Sequence, residues 1–194
     1  KAMNIVIYEK EGYEADDIIG TISRMCEEEG LECVIVTGDR DSLQLVSSNV
    51  RVKLPITKKG TTVTDEYDVQ KVFERYGISP KEFIDVKGLM GDPSDNIPGV
   101  KGIGEKTAIS LIQQCSSIEN IYENIENLQL RQKIKESLIE NKEMAFLSKQ
   151  LATIDRNVPI DIKLSDCLIK DYNKEKLLDI FQKLEFKSFI SKLQ

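Results

Sequence analysis

The 194 residues include no histidine and no tryptophan. Without imidazole there is no His general base, no Ser-His or Cys-His nucleophile pair, and no zinc site of mixed Cys and His ligands. Cysteine is sparse and scattered. Cys26, Cys33, Cys115 and Cys167 make no Cys-x-x-Cys pair, which favours reduced, mostly buried thiols over a disulfide framework or a metal knuckle. No apolar run is long enough to cross a bilayer, the first residues lack the basic, apolar and small-residue pattern of a signal peptide, and no low-complexity tract or solenoid-length repeat occurs. The chain therefore reads as cytoplasmic, with no membrane partner. It also lacks a starting Met, as a fragment or an excised domain would.

Charge is what the chain has in quantity. At 31% charged and 40% hydrophobic it has the composition of an ordinary globular protein, and 22.0 kDa suffices for one domain with a packed helical extension. Seven of the acids arrive in three packets, Glu14-Ala-Asp16-Asp17, Asp39-Arg-Asp41 and Asp92-Pro-Ser-Asp95. A net charge of −6 argues against a grip on nucleic acid. Of the 33 Asp and Glu, however, setting aside those seven leaves 26 against 27 Lys and Arg, so a local basic patch remains available. Hard oxygen donors without His or paired Cys suit Mg²⁺ or Mn²⁺, and two such ions would offset four of the clustered charges.

The first third alternates strand and helix. Met3 to Tyr8 suits a buried strand, Ala15 to Glu29 an amphipathic helix stopped by Gly30, and Leu31 to Val36 a second strand parallel to the first through a right-handed crossover. A short helix over Ser42 to Val46, an edge strand at Val50 to Leu54, and a Lys58-Lys59-Gly60 turn into Thr61 to Thr64 follow. Beyond Asp65 the pattern turns helical. Thr64 or Asp65 caps a helix to Tyr76 ending at Gly77, Ser79-Pro80 opens another to about Met90, and Gly91 to Gly99 is turn chemistry. Gly104 to Cys115 reads as a helix, Leu128 to about Ala152 as one or two long helices, and Lys174 to Lys192 as a last helical stretch with Leu177, Leu178, Phe181, Leu184, Phe186 and Phe189 as a packing stripe. The fold class is α/β, a parallel-sheet core over residues 1–64, then a helical region over 65–194.

Ligands of open α/β sheets collect beyond the carboxyl ends of the strands. Asp39 and Asp41 lie just past the second strand, on one side of the chain if it stays extended, and Glu14, Asp16 and Asp17 lie where the first helix begins. One acidic packet at a helix start merely suits the macrodipole. Several packets meeting in one crevice call for cations. Gly99-Val-Lys-Gly102-Ile-Gly104, ahead of a helix, lets backbone amides approach a phosphate. Gly99, Lys101, Gly102, Gly104, Lys106 and Thr107 are the candidate DNA contacts. The stretch is neither a Walker loop nor a dinucleotide fingerprint, and a helix-hairpin-helix clamp fits it better.

Gly12-Tyr-Glu-Ala-Asp-Asp-Ile-Ile19, Thr37-Gly-Asp-Arg-Asp-Ser-Leu-Gln-Leu45 and Gly88-Leu-Met-Gly-Asp-Pro-Ser-Asp-Asn-Ile-Pro-Gly-Val-Lys-Gly-Ile-Gly-Glu-Lys-Thr-Ala108 resemble the flap endonuclease, or 5′-3′ exonuclease, family, on the branch whose members precede a bacterial DNA polymerase. Glu140 to Ile154 and Leu184 to Ser188 extend the resemblance over essentially the whole chain. It implies a two-metal nuclease that cuts 5′ flaps and trims DNA 5′ ends in replication and repair. Glu14, Asp16, Asp17, Asp39, Asp41, Asp92 and Asp95 would hold metal, with Asp16, Asp39 and Asp41 at the reaction centre. The ions would activate water, orient the scissile phosphate and stabilise the leaving oxygen. A helix-three-turn-helix from about Ser79 to Ile112 would grip duplex DNA, with K⁺ held by hairpin carbonyls.

The resemblance also implies an N-terminal segment ahead of Lys1 that supplies the first strand, two more acids and a helical arch. The 194 residues alone are thus expected to be impaired as a catalyst. Expected partners are DNA with 5′ flaps, nicks or free 5′ ends and a polymerase domain in the same natural chain, with the protein itself monomeric. Two other readings compete, a non-catalytic module that holds branched DNA and a small RNase of related topology, the latter disfavoured by the long helical part after Thr64.

Overall fold

The computed structural model describes residues 2–58 and 60–193. They form two compact units, Ala15–Val158, and the described parts of Lys1–Glu14 with Pro159–Gln194.

The larger unit is built on a three-stranded sheet of order β1-β2-β3, with β1 Cys33–Val36, β2 Val50–Lys58 and β3 Thr61–Tyr67. β1 runs parallel to β2 in the register Cys33↔Val50, and β2 pairs antiparallel with β3 from Val52↔Tyr67 to Lys58↔Thr61. Alternation along β2 sends Val50, Val52 and Leu54 inward, where all three are buried. They meet Leu43 and Leu45 from the 3₁₀ turn Asp41–Leu45, which links the two parallel strands. The helices of this unit are α1 Ala15–Glu28, α2 Val69–Tyr76, α3 Glu82–Met90, α4 Glu105–Cys115, α5 Ile118–Glu123, α6 Gln132–Glu140 and α7 Lys142–Ala152.

Helix α3 is the axis of the unit. Phe83, Val86 and Leu89 are buried, and so are its polar residues Asp85 and Lys87. A buried carboxylate is tolerated only when satisfied. Asp85 accepts the Ile118 amide at 2.9 Å and pairs with Lys149 Nζ at 2.6 Å, which ties α3 to α5 and α7. Gly88 lets α7 close on the same helix, since a Cβ there would stand 2.9 Å from Lys149 Cβ.

The turn after α3 is closed by a second glycine contact. Gly91 and Gly99 both take positive φ, +70° and +63°, and their backbones touch: a Cβ on Gly99 would lie 2.3 Å from the Gly91 nitrogen. The amide of Gly99 donates to Ser148 Oγ at 2.9 Å, and that of Val100 to the Leu89 carbonyl at 2.7 Å, so the segment 91–99 is pinned at both ends.

Most expected elements are present, with informative exceptions. Met3 to Tyr8 belongs to no strand, and Ile5 and Ile7 are 65% and 76% exposed. The parallel partner of β1 is β2, so the expected crossover pair is replaced by a shorter β1–turn–β2 link; an apolar run becomes a strand only where a ladder partner exists. No helix starts at Thr64 or Asp65. Pairing with β2 holds the backbone extended to Tyr67, and Asp68 caps α2 by accepting the Lys71 amide at 2.7 Å. Of the expected Lys58-Lys59-Gly60 turn, Lys59 lies outside the described residues. α3 opens at Glu82, whose carboxylate bonds the Ser79 amide at 2.6 Å and makes residues 79–82 a capping turn. Of the one or two helices expected over Leu128 to Ala152 there are two, α6 and α7, meeting at Asn141, and α5 is an element the sequence pattern does not mark.

In the smaller unit lie a 3₁₀ turn, Leu164–Cys167, and the helices α8 Lys174–Lys183 and α9 Lys187–Leu193. The aromatic stripe packs on itself, with ring centroids of Phe181, Phe186 and Phe189 5.4–6.2 Å apart, while Phe186 and Phe189 remain about half exposed. All four thiols are free; only Cys26 is buried and Cys167 is exposed, against the expectation of mostly buried cysteines.

Two glycines with positive φ separate backbone strain from crowding. Gly99→Ala meets both the left-handed conformation and the Gly91 backbone and should cost at least about 2 kcal/mol. Gly102→Ala, at φ +80° with open space around it, should cost about 1 kcal/mol. Urea denaturation of both variants checks the difference, and equal losses would contradict the contact.

Candidate functional site

The carboxyl end of β1 turns sharply at residues 37–41. Thr37 keeps a last ladder bond, its amide donating to the Lys53 carbonyl at 3.1 Å. Its hydroxyl then accepts the Asp39 amide at 3.0 Å, and Asp39 Oδ1 accepts the Asp41 amide at 2.9 Å. Arg40 takes a helical conformation, so Asp39 and Asp41 reach one side through a turn and not through the alternation of an extended chain. Buried Leu43 and Leu45 then anchor the 3₁₀ turn from below.

Asp92 arrives from the other direction, at the start of the pinned 91–99 segment. Its backbone forms a two-way bridge with Ile97, both hydrogen bonds being 2.8 Å. Its Oδ1 accepts the Ser94 amide at 2.9 Å and the Ser94 hydroxyl at 2.5 Å, which leaves Oδ2 facing the interior. Asp95 follows three residues later and is exposed. One carboxylate oxygen each from Asp41, Asp92 and Asp95 lie within 4.8 Å of one another. That spacing lets a single cation touch all three.

Asp39, Asp41 and Asp92 line one cavity of about 340 Å³, together with Lys87 and Glu105. Asp16 and Asp17 occupy the first turn of α1, outside that lining, and Asp17 Oδ1 accepts the Asp155 amide at 2.9 Å. Glu14 is exposed and belongs to the smaller unit.

Lys87 was not foreseen as a site residue. Its side chain is 10% exposed, and Nζ stands 2.6 Å from Asp41 Oδ1 while also binding Asp92 Oδ2. The contact to Asp41 is a close ion pair of poorer hydrogen-bond alignment than that to Asp92, and it is the partner of the buried Asp41 Oδ1. Burial pushes the Asp41 carboxyl above its ordinary value, an effect Lys87 only partly offsets. Lys87 itself is raised: burial disfavours its charge, but the two carboxylates outweigh that. The Lys87 ammonium and the Ser94 bonds bring Asp92 down to about 2. A lysine within the nearly all-apolar run Phe83 to Met90 was the one sequence signal available for it. Glu105 offered no comparable mark.

The glycine hairpin is held by Val100 and Ile103, both buried, so that Lys101 and Gly102 protrude between them. Gly104 precedes α4 without a capping side chain. Lys101, Gly102 and Thr107 share a cavity of about 570 Å³ with Arg131, Lys133 and Ser137, and Ser137 Oγ donates to the Lys101 carbonyl at 2.5 Å. Lys106 is exposed on the first turn of α4. Backbone and cationic groups of this kind suit phosphate; Glu136 and Glu140 on the same wall bound the patch.

Two family models cover residues 1–175 between them. The model described as 5′-3′ exonuclease, N-terminal resolvase-like domain, matches residues 1–77, and that described as 5′-3′ exonuclease, C-terminal SAM fold, matches residues 78–175. DNA polymerase I of Caldicellulosiruptor bescii is 51% identical over 192 residues, 99% of this chain and 22% of that protein. DNA polymerase I of Bacillus caldotenax is 46% identical over 194 residues, 100% of this chain and 22% of its own length. The chain thus spans about a fifth of these relatives. Among solved structures, T5 5′-exonuclease with bound divalent metal ions (zinc) superposes with a TM-score of 0.63 at 26% identity, over 76% of this chain and 52% of that one. The catalytic core of Rad2 in complex with DNA substrate shares the fold, with a TM-score of 0.66 at 14% identity, over 100% of this chain and 66% of that one.

The lowered Asp92 carboxyl fixes the sign of a pH effect. Its folded value, about 2, lies below the ordinary 3.8, so its contribution to stability is whole above about pH 4 and drains as pH falls toward 2. Asp41 is shifted the other way and does not drive this loss. In chelator-treated protein the gap in urea midpoint between wild type and Asp92→Asn should narrow from about pH 5 to about pH 2.5. A gap independent of pH would show that the ion pair with Lys87 is not formed.

Proposed function

The chain belongs to the 5′-3′ exonuclease family, and from that premise we propose that it is a divalent-metal-dependent DNA nuclease, cutting 5′ flaps and trimming 5′ ends in replication and repair. The observation that carries this reading is the meeting of Asp39, Asp41 and Asp92, from segments some fifty residues apart, on one cavity that Glu105, the residue following the glycine hairpin, also lines.

The donor set fits a hard cation. It consists of oxygens alone, and the buried Asp41 Oδ1 is engaged by the Lys87 ion pair and not by a well-aligned hydrogen bond. Asp41, Asp92 and Asp95, with Asp39 beside them, would hold Mg²⁺ or Mn²⁺, and motif position adds Asp16 and Asp17 to the metal-holding acids. Such ions, when bound, supply Lewis-acid activation of water and neutralise charge at the scissile phosphate. The rest falls to the chain. Asp39 locks the loop through the Asp41 amide, Ser94 fixes the rotamer of Asp92, and the 91–99 segment holds the hairpin at a set distance from both.

At the hairpin, Gly99, Gly102 and Gly104 expose backbone amides while Lys101, Lys106 and Thr107 add charge and a hydroxyl along a duplex backbone. K⁺ coordinated by hairpin carbonyls belongs to the same reading. The helical region from 65 onward, with residues 79–112 at its centre, would thus be the DNA grip. The residues up to 64, joined by Asp92 and Asp95, would be the metal core. Four free thiols suit a reducing cytoplasm.

Cutting and holding separate by mutation. Asp39→Ala should lower metal-dependent cleavage of a 5′-flap DNA by about 10²-fold or more while leaving its affinity for that DNA unchanged. Cleavage that survives, with affinity intact, would remove Asp39 from the reaction centre, whereas wild type that binds the flap without metal-dependent cleavage would favour the non-catalytic binding module. Lys101→Ala should weaken DNA binding alike for all sequences and flatten the slope of log affinity against log salt by about one. A slope equal to wild type would remove Lys101 from the phosphate contacts.

A further inference from the structure

Lys87 has no part in the chemistry so far described, yet it sits at the centre of the cage. Burying an ammonium in the core of a helical unit costs several kcal/mol unless carboxylates compensate it, and here two do, one from each acidic packet that meets in the cavity. Of the four oxygens on Asp41 and Asp92, the two that face inward are those that face Lys87. The outward Asp92 oxygen is already committed to Ser94. Asp41, Asp92 and Asp95 also present oxygens within 4.8 Å of one another, a span that one metal ion bridges at ligand distances of 2.0–2.6 Å. Ammonium and metal ion therefore draw on the same two carboxylates.

We propose that Lys87 is a tethered counterion, a positioning residue that holds Asp41 and Asp92 together in the metal-free protein and is displaced from at least one of them when a divalent ion enters. The proposal rests on the metal centre described above. Three features make the ammonium displaceable. Its 2.6 Å ion pair with Asp41 is less well aligned than its bond to Asp92, which makes that side the easier one to release. Lysine carries its charge on a flexible stem and not on the rigid fork of arginine. And the cavity of about 340 Å³ that Lys87 lines gives the ammonium room to swing aside, while its place in the last turn of α3 keeps it near the negative end of the helix. The arrangement keeps like charges from forcing the loop after β1 away from the turn after α3 when no ion is bound.

Mn²⁺ titration calorimetry on the full chain tests this with wild type and Lys87→Gln, which keeps most of the side-chain volume. Lys87→Gln should lower the melting temperature of the chelated protein, yet bind Mn²⁺ about tenfold more tightly than wild type, because the competing charge is gone. A merely structural ion pair would give the lower melting temperature with equal or weaker Mn²⁺ affinity, and that result overturns the proposal. Absence of Mn²⁺ binding by both proteins would instead overturn the metal centre itself. Wild type supplies a readout that needs no variant: reductive methylation followed by mass spectrometry should show Lys87 protected in the chelated protein and exposed once Mn²⁺ saturates it, with Lys149, paired elsewhere, as the internal reference. Equal labelling of Lys87 with and without bound Mn²⁺ overturns the displacement.

Discussion

Carboxylates repel one another, and a fold that gathers several of them in a half-dry hollow must bring positive charge with it. In this chain that demand organises everything around α3. The helix carries Lys87 into the hollow on one face and Asp85 into the core on another, and the two buried charges find partners in opposite directions. Asp85 binds α5 and α7 to the helix, so the scaffold stiffens on the side away from the cage. Lys87 binds the loop after β1 and the turn after α3, so the cage is drawn together on the other. Without the first pair the second would have no rigid base, and without the second the acids would spread.

The small sheet serves the same end. Its role is to deliver residues 37–41 at a fixed height above the core, through Leu43 and Leu45 beneath them and the Thr37 ladder bond behind. Two parallel strands suffice for that, and the antiparallel β3 completes the layer on which α2 packs.

The helical region was readable because its punctuation is chemical. Gly77, Ser79-Pro80, the Gly91 to Gly99 turn and Gly104 each mark a boundary that backbone conformation dictates, and the structure follows them within two or three residues. The strands were less legible. Met3 to Tyr8 has the composition of a buried strand but no ladder partner, since pairing is decided by remote chain and not by local preference. Thr64 and Asp65 look like helix caps, yet β2 claims them first. At the site, the acids of the second and third packets could be anticipated from residue type and position. Lys87 could not, because a lone lysine in an apolar helix is usually a solvated or snorkelling side chain; only the meeting of two distant segments shows that it is a counterion.

One contact in the backbone has a reach beyond stability. Where Gly91 and Gly99 touch, the chain closes a loop on itself, with the acids Asp92 and Asp95 on its circumference and the hairpin leaving from its knot. The loop cannot lengthen or shorten without breaking that touch. Under the proposed function, the interval between where a duplex would be held and where it would be cut is set by a ring of nine residues, a spacer of fixed length built into the backbone.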